Sequence, residues 1–198
     1  MDMVSEGSGD GIPNEMEIDG VMRATRNSKG QLIHNTEEGI HNFYKWFSDS
    51  RVTDKLGRPM VVYHGTNAGE DFHTFNTERG RGFFPDGASF HTDPHGASSY
   101  AVQGRKTNAR VISAYISIRN PAGNAEFREA GKLFGRDALG ADIRIWMKGK
   151  GYDGFHLGGD EWLVFDPIQI KSAMGNSGKF SSSNANIMER MVFLSGLI

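Results

Sequence analysis

Apolar residues in this chain come in short, separated bursts whose period switches between helix and strand. Ile40, Phe43, Tyr44 and Phe47 recur at three- and four-residue steps, the spacing that lines one face of a helix. Asn35 or Thr36 can cap that helix, and Glu37 and Glu38 suit its first turn. A turn over Asp54–Pro59, with Gly57 inside it, precedes Met60-Val61-Val62-Tyr63, which predicts a short buried strand. Residues 65–87 carry five glycines and little periodicity and predict loop. Ala88–His91 predicts a second strand. Thr92 or Asp93 then caps a helix with Pro94 in its first turn, running to about Gln103.

Val111–Ile118 alternates as a strand that Asn120-Pro121 ends. Two helices are predicted over 124–134 and 137–148, the second with Ile143, Trp146 and Met147 on one face. Asp153–Leu157 and Glu161–Phe165 read as strands around a Gly158-Gly159 turn, and Gln169–Ala173 adds another. Strands and helices mix without regular βαβ alternation, so the class is α+β. The folded domain is expected over 32–174. Residues 1–31 are expected as a disordered acidic arm, because Asp2, Glu6, Asp10, Glu15, Glu17 and Asp19 precede any Lys or Arg. From Gly175 a Ser/Asn/Gly-rich stretch to 198 predicts a polar, flexible tail with a short apolar end, Met191–Leu194.

At 198 residues the chain is one domain, long enough to bury a core without staples. There are no cysteines, which excludes disulfides, thiolate zinc sites and a cysteine nucleophile. Twenty-two basic and 24 acidic residues leave a net charge of −2, which argues against a broad basic field for nucleic acid. No apolar run approaches the roughly 20 residues that cross a bilayer. No phosphate-binding G-x-x-x-x-G-K-[ST] loop or G-x-G-x-x-G fingerprint follows a strand, which leaves triphosphate hydrolysis and Rossmann dinucleotide binding unsupported. The acidic, polar start is no secretory signal, and a cytoplasmic site of action is expected, in the protein's own cell or in a target cell.

Three local signals carry chemistry. Tyr63-His64-Gly65-Thr66 puts two hydrogen-bonding side chains around a backbone that a ligand can approach closely. Phe90-His91-Thr92-Asp93, with Tyr100 ten residues after Phe90, puts two aromatics where a strand passes into a helix. Glu161 opens the apolar run Trp162–Phe165 directly after a Gly-Gly turn. Singly, each has a plainer reading: a strand ending at glycine, core aromatics, a solvated glutamate.

Together they resemble the ADP-ribosyltransferase superfamily, on its diphtheria-toxin and poly(ADP-ribose) polymerase side, marked by a histidine, a tyrosine and a glutamate on three strands. His64-Gly65-Thr66 is similar to its histidine motif, 87–100 to its aromatic strand and helix, and Glu161–Asp166 with Gln169 and Ile170 to its glutamate strand. Within the superfamily the chain looks like the transferase domains of phage and mobile-element polyvalent proteins, from about Ile40 to Ser172. The resemblance implies a split, mixed β-sheet with flanking helices. It implies cleavage of NAD at the nicotinamide bond and transfer of ADP-ribose to a macromolecular acceptor, protein or nucleic acid, with no metal and no membrane. A toxin or effector role with an antidote or carrier protein is compatible with it. Two departures stand out. Phe90 takes the tyrosine position, or Ser89 does if the register slips by one. The arginine, Ser-Thr-Ser and paired-glutamate features of arginine-modifying members are missing, with Gly159 two before Glu161.

Under this resemblance Glu161 stabilises positive charge developing on the ribose. His64 and Thr66 hold ribose hydroxyls, the Gly65 backbone pairs with the carboxamide, and Phe90 and Tyr100 clamp the cationic nicotinamide ring. Catalysis is thereby assigned to Glu161, His64 and Phe90, and NAD binding to His64, Gly65, Thr66, Phe90 and Tyr100. The rivals are an NAD glycohydrolase with water as acceptor and a catalytically silent NAD- or ADP-ribose-binding module. A metal hydrolase is disfavoured, because Pro94 interrupts the His91/His95 pair and no H-E-x-x-H occurs.

Overall fold

The computed structural model describes residues 11–67, 72–78, 84–102, 109–135 and 137–189. Helix α1 (Glu37–Phe47) starts as its caps predict: the Thr36 hydroxyl accepts from the Gly39 N–H at 3.1 Å. Its apolar stripe buries Ile40, Phe43, Tyr44 and Phe47. Strand β3 (Val62–Thr66) begins two residues later than the apolar run suggested. The first part of that run is diverted, with the Met60 N–H bonded to the Val52 carbonyl at 3.0 Å. Strand β4 (Ala88–His91) leads into α2 (Pro94–Ala101), whose cap is Asp93, accepting from the His95 N–H. The predicted extension of α2 to Gln103 lies outside the described residues.

Strand β5 (Arg110–Ile116) follows, then the two-residue β6 (Pro121–Ala122), α3 (Asn124–Phe134) and α4 (Gly140–Gly149). Strands β7 (Gly154–Gly158) and β8 (Glu161–Val164) form the expected hairpin, and β9 (Ile170–Ser172) closes the chain of strands. Gly158 and Gly159 both adopt positive φ, 88° and 64°, as that tight turn demands.

Seven strands form one mixed sheet in the order β6-β7-β8-β4-β3-β5-β9, with β6 and β7 parallel. The architecture is α+β, as the element pattern predicts. The sheet is split at its centre. Strand β4 pairs with β8 over four positions and β3 with β5 over five, whereas β3 and β4 share the single pair Tyr63↔His91. One core cluster spans the split, with Val62, Ala114, Ile116 and Ile170 from one half and Phe90, Trp162 and Val164 from the other. Helix α1 packs on Tyr115 and Val61, and α3 and α4 pack on Phe155 and Leu163.

Both ends of the chain differ from expectation. Residues 15–24, expected in a disordered arm, form a hairpin of β1 (Glu15–Ile18) and β2 (Val21–Ala24). Its turn is Asp19-Gly20, both at positive φ, and Asp-Gly between alternating strands is a strong hairpin signal. Ile12, Ile18 and Ile33 are buried against α1. Residues 175–189, expected as tail, pack as well: Phe180 is 2% exposed against Phe43, and Ile187 is 4% exposed. Polar composition masked these few anchoring apolar residues. The arm over 1–10 and the apolar end 191–194 lie outside the described residues.

Candidate active site

Where β3 and β4 part, a cleft of about 850 Å³ opens. It is lined by every residue to which catalysis or NAD binding was assigned, His64, Gly65, Thr66, Phe90, Tyr100 and Glu161, and by Ser89. Sequence positions from His64 to Glu161 thus meet at one place, because β3 and β8 flank β4 in the sheet, with His91 paired to Tyr63 on one side and to Glu161 on the other.

Each side chain is positioned by its element. The His64 Nδ1–H donates to the Ser89 carbonyl at 2.7 Å, across the split. That bond sets the tautomer, so in the neutral ring Nε2 is the accepting nitrogen. The imidazole leans on Phe75 (ring centroids 4.9 Å apart) and Phe90 (5.5 Å). Gly65 lies under α2, where a Cβ would run into the Ala97 carbonyl. Glycine is required there by the close approach of strand and helix. Gly65→Ala should therefore cost on the order of 1–3 kcal/mol by overpacking. Thermal melting checks this, and an unchanged midpoint would refute the close approach.

Glu161 sits half-buried at the head of β8. The preceding residue is held from β4's end: the Thr92 N–H donates to the Asp160 carbonyl and the Thr92 hydroxyl to Asp160 Oδ1, both at 2.9 Å. From α2 the Tyr100 hydroxyl reaches Glu161 Oε1 at 3.5 Å, the outer limit of a hydrogen bond. Carboxylate and aromatic ring therefore share one wall of the cleft.

The pairing register separates Phe90 from Ser89. Phe90 lies opposite Trp162, and Ser89 opposite Leu163, as His91 lies opposite Glu161. Directly paired residues share a face and neighbours alternate, so Ser89 and His91 share Glu161's face and Phe90 points the other way. Phe90 is 1% exposed and packs in the shared core. It touches the cleft as a backing for His64, not as a free aromatic face opposite Tyr100. The loop-like stretch after β3 supplies cleft residues that the sequence reading passed over, notably Phe72, Phe75 and Asn76. Their signal was the aromatic pair in Phe72-His73-Thr74-Phe75, inside a stretch judged only by its glycines.

Among the described residues, no group of three or more His, Asp or Glu side chains is placed to hold a metal ion. No helix among them is long and apolar enough to cross a membrane.

The family described as ADP-ribosyltransferase in polyvalent proteins matches residues 54–180, more than half of the chain and all of the cleft's strands. The chain belongs to this family. Its match begins before β3 and runs past β9, so this ADP-ribosyltransferase domain includes the first part of the stretch expected as tail. No curated protein and no solved structure matches the chain significantly. The family carries ADP-ribosyl transfer as its activity and NAD as the co-substrate of that chemistry.

Proposed function

We propose that the protein is a mono-ADP-ribosyltransferase that breaks the nicotinamide glycosidic bond of NAD and passes ADP-ribose to a macromolecular acceptor. The observation that carries this reading is the convergence of Glu161 and Tyr100 with His64-Gly65-Thr66 on one cleft. A volume of about 850 Å³ lies in the range of clefts that take small molecules and cofactors.

In this reading NAD lies across the split with its nicotinamide under Tyr100. The cationic ring is already a good leaving group, so the site needs orientation and negative charge more than a strong acid. Glu161 supplies that charge beside the ribose as the C1′–N bond lengthens, and its carboxylate also accepts from a ribose hydroxyl. His64 Nε2 accepts from another ribose hydroxyl, and Thr66 holds a third polar contact. The Gly65 backbone, kept bare of a Cβ, pairs with the carboxamide. Tyr100 offers the aromatic face, where stacking and cation–π attraction favour the cationic ring. The face-sharing of Ser89 with Glu161 favours Ser89, rather than Phe90, as the β4 residue turned toward nicotinamide. Phe90 then serves the site by supporting the His64 ring.

His64→Ala should raise the apparent KM for NAD or abolish saturation, with a smaller effect on the chemical step. Unchanged NAD affinity by calorimetry in that variant removes His64 from binding.

The function itself is tested by incubating the protein with NAD labelled in its adenosine half, with and without protein and nucleic-acid acceptors. Free nicotinamide accompanied by label on an acceptor is the expected result. Nicotinamide release with free ADP-ribose and no labelled acceptor assigns the protein as an NAD glycohydrolase. Binding of NAD without release assigns it as a silent binding module.

A further inference from the structure

The segment after β9 carries a buried ion pair that the chemistry above does not use. Lys171, on β9, has no exposed surface, and its Nζ donates to Glu189 Oε1 at 2.6 Å and to the Asn184 carbonyl at 2.7 Å. The Glu189 side chain is 1% exposed, and its two oxygens accept from the Ser181 N–H at 2.9 and 3.1 Å. Glu189 holds φ of 50°, a left-handed conformation that a non-glycine residue keeps only when its surroundings enforce it. An ammonium and a carboxylate are removed from water here, which is tolerable only because each is paired and further hydrogen-bonded.

Two residues before Glu189 lies Ile187. The Ile187 carbonyl accepts from the Ser172 N–H of β9 at 2.9 Å and from Asn176 Nδ2 at 2.9 Å. On its other side the Ile187 N–H donates to the His73 carbonyl at 2.8 Å. Ile187 thus lies like a strand between β9 and the loop 72–78. That loop forms a wall of the cleft through Phe72 and Phe75, and Phe75 packs edge-on against the His64 ring. Ile187 and Met188 join Phe72 and Phe75 in the same apolar cluster. A continuous physical path therefore runs from Lys171–Glu189, through Ile187 and His73, to the imidazole assigned to NAD.

We propose that Lys171 and Glu189 are positioning residues for NAD recognition: their ion pair locks the C-terminal segment, and that segment holds the loop 72–78 against His64. The proposal rests on the reading of the cleft as an NAD site. Neither residue is among those that line the cleft. Their effect falls on affinity, because the loop shapes the ground-state cleft, while Glu161 is held separately by the Gly158-Gly159 turn and the Thr92–Asp160 bonds.

The test uses Glu189→Gln in the full chain, which keeps the side chain's size and removes its charge. Calorimetry with NAD should show a dissociation constant raised about tenfold, with kcat within about threefold of the parent. Amide hydrogen exchange in the free protein should accelerate at Ile187 and through 72–78, while β4 and β8 keep their protection. Wild-type affinity in a folded Glu189→Gln protein overturns the proposal. So does a lowered kcat with unchanged KM, or a loss of protection spread evenly over the sheet, which marks a merely structural pair. If Glu189→Gln fails to fold, Ile187→Pro removes both the donor to His73 and the Ile187 side chain from the cluster, leaving the two charged residues in place. It should raise the dissociation constant alike, and wild-type affinity in it refutes the proposal. Absence of NAD binding by the parent protein overturns the cleft reading and the proposal together, whereas parent binding with unchanged variants overturns the positioning role alone.

Discussion

Glu161→Gln is expected to lower nicotinamide release by two or more orders of magnitude while leaving the fold and NAD affinity in place. The substitution keeps the side chain's shape and its acceptor oxygen. It removes only the full negative charge, which matters most when the ribose turns cationic. Losing a preorganised group of this kind costs roughly 3 kcal/mol or more in the transition state. The fold should tolerate the change, because Glu161 is half-buried at a strand end and its place is set by the Gly158-Gly159 turn and the Thr92–Asp160 bonds. Circular dichroism and calorimetry establish fold and binding, and a nicotinamide assay reads turnover. Near-parental release by the folded variant would exclude Glu161 from the mechanism.

Phe90→Ala is expected to act on stability first. Phe90 is almost wholly buried in the cluster that joins the two half-sheets. Truncating such a ring leaves a cavity and costs about 3–5 kcal/mol, a fall on the order of 10 °C in melting midpoint for a chain of this size. NAD should still raise the midpoint of the variant, because the residues that face the nucleotide remain. Ser89→Ala should do the reverse: little change in the free protein and a smaller NAD-induced shift. A Phe90→Ala protein that melts like the parent and has lost its NAD shift would restore Phe90 as the stacking aromatic.

Much of this was legible in the chain, and the reasons for the remainder are physical. Helix α1 announced itself through cap, acidic first turn and stripe, which are all local. The cleft residues were found through motif resemblance, since no periodicity tells that His64 and Glu161 meet across a split sheet. For β4 the sequence offers Phe90 first and Ser89 on a register slipped by one, and Ala88-Ser89-Phe90-His91 alternates apolar and polar. A period of two puts Phe90 inward and Ser89 outward, and the likeness of Phe90 to the family's aromatic overrode it. The hairpin β1–β2 was hidden by the acids around it, though Asp19-Gly20 marked it. Residues 175–189 gave little local signal, because their order comes from partners distant in sequence: Phe43 for Phe180, Lys171 for Glu189 and His73 for Ile187.

The sheet order has a consequence for how the chain comes to be folded as it is made. Strands β3 and β4 are synthesised early, yet β4 waits for β8, its Ser89 pairing with Leu163, and β5 waits for β9, its Tyr115 pairing with Lys171. Such long-range pairings close large loops before they return any contact energy, which slows folding. A nascent chain that ends before β8 exposes β4 with one edge unmatched, a template for pairing with other chains. Domain formation therefore waits until β8 and β9 have been synthesised and can pair with β4 and β5. Fragments ending before Glu161 should emerge as aggregation-prone species rather than as smaller folded units.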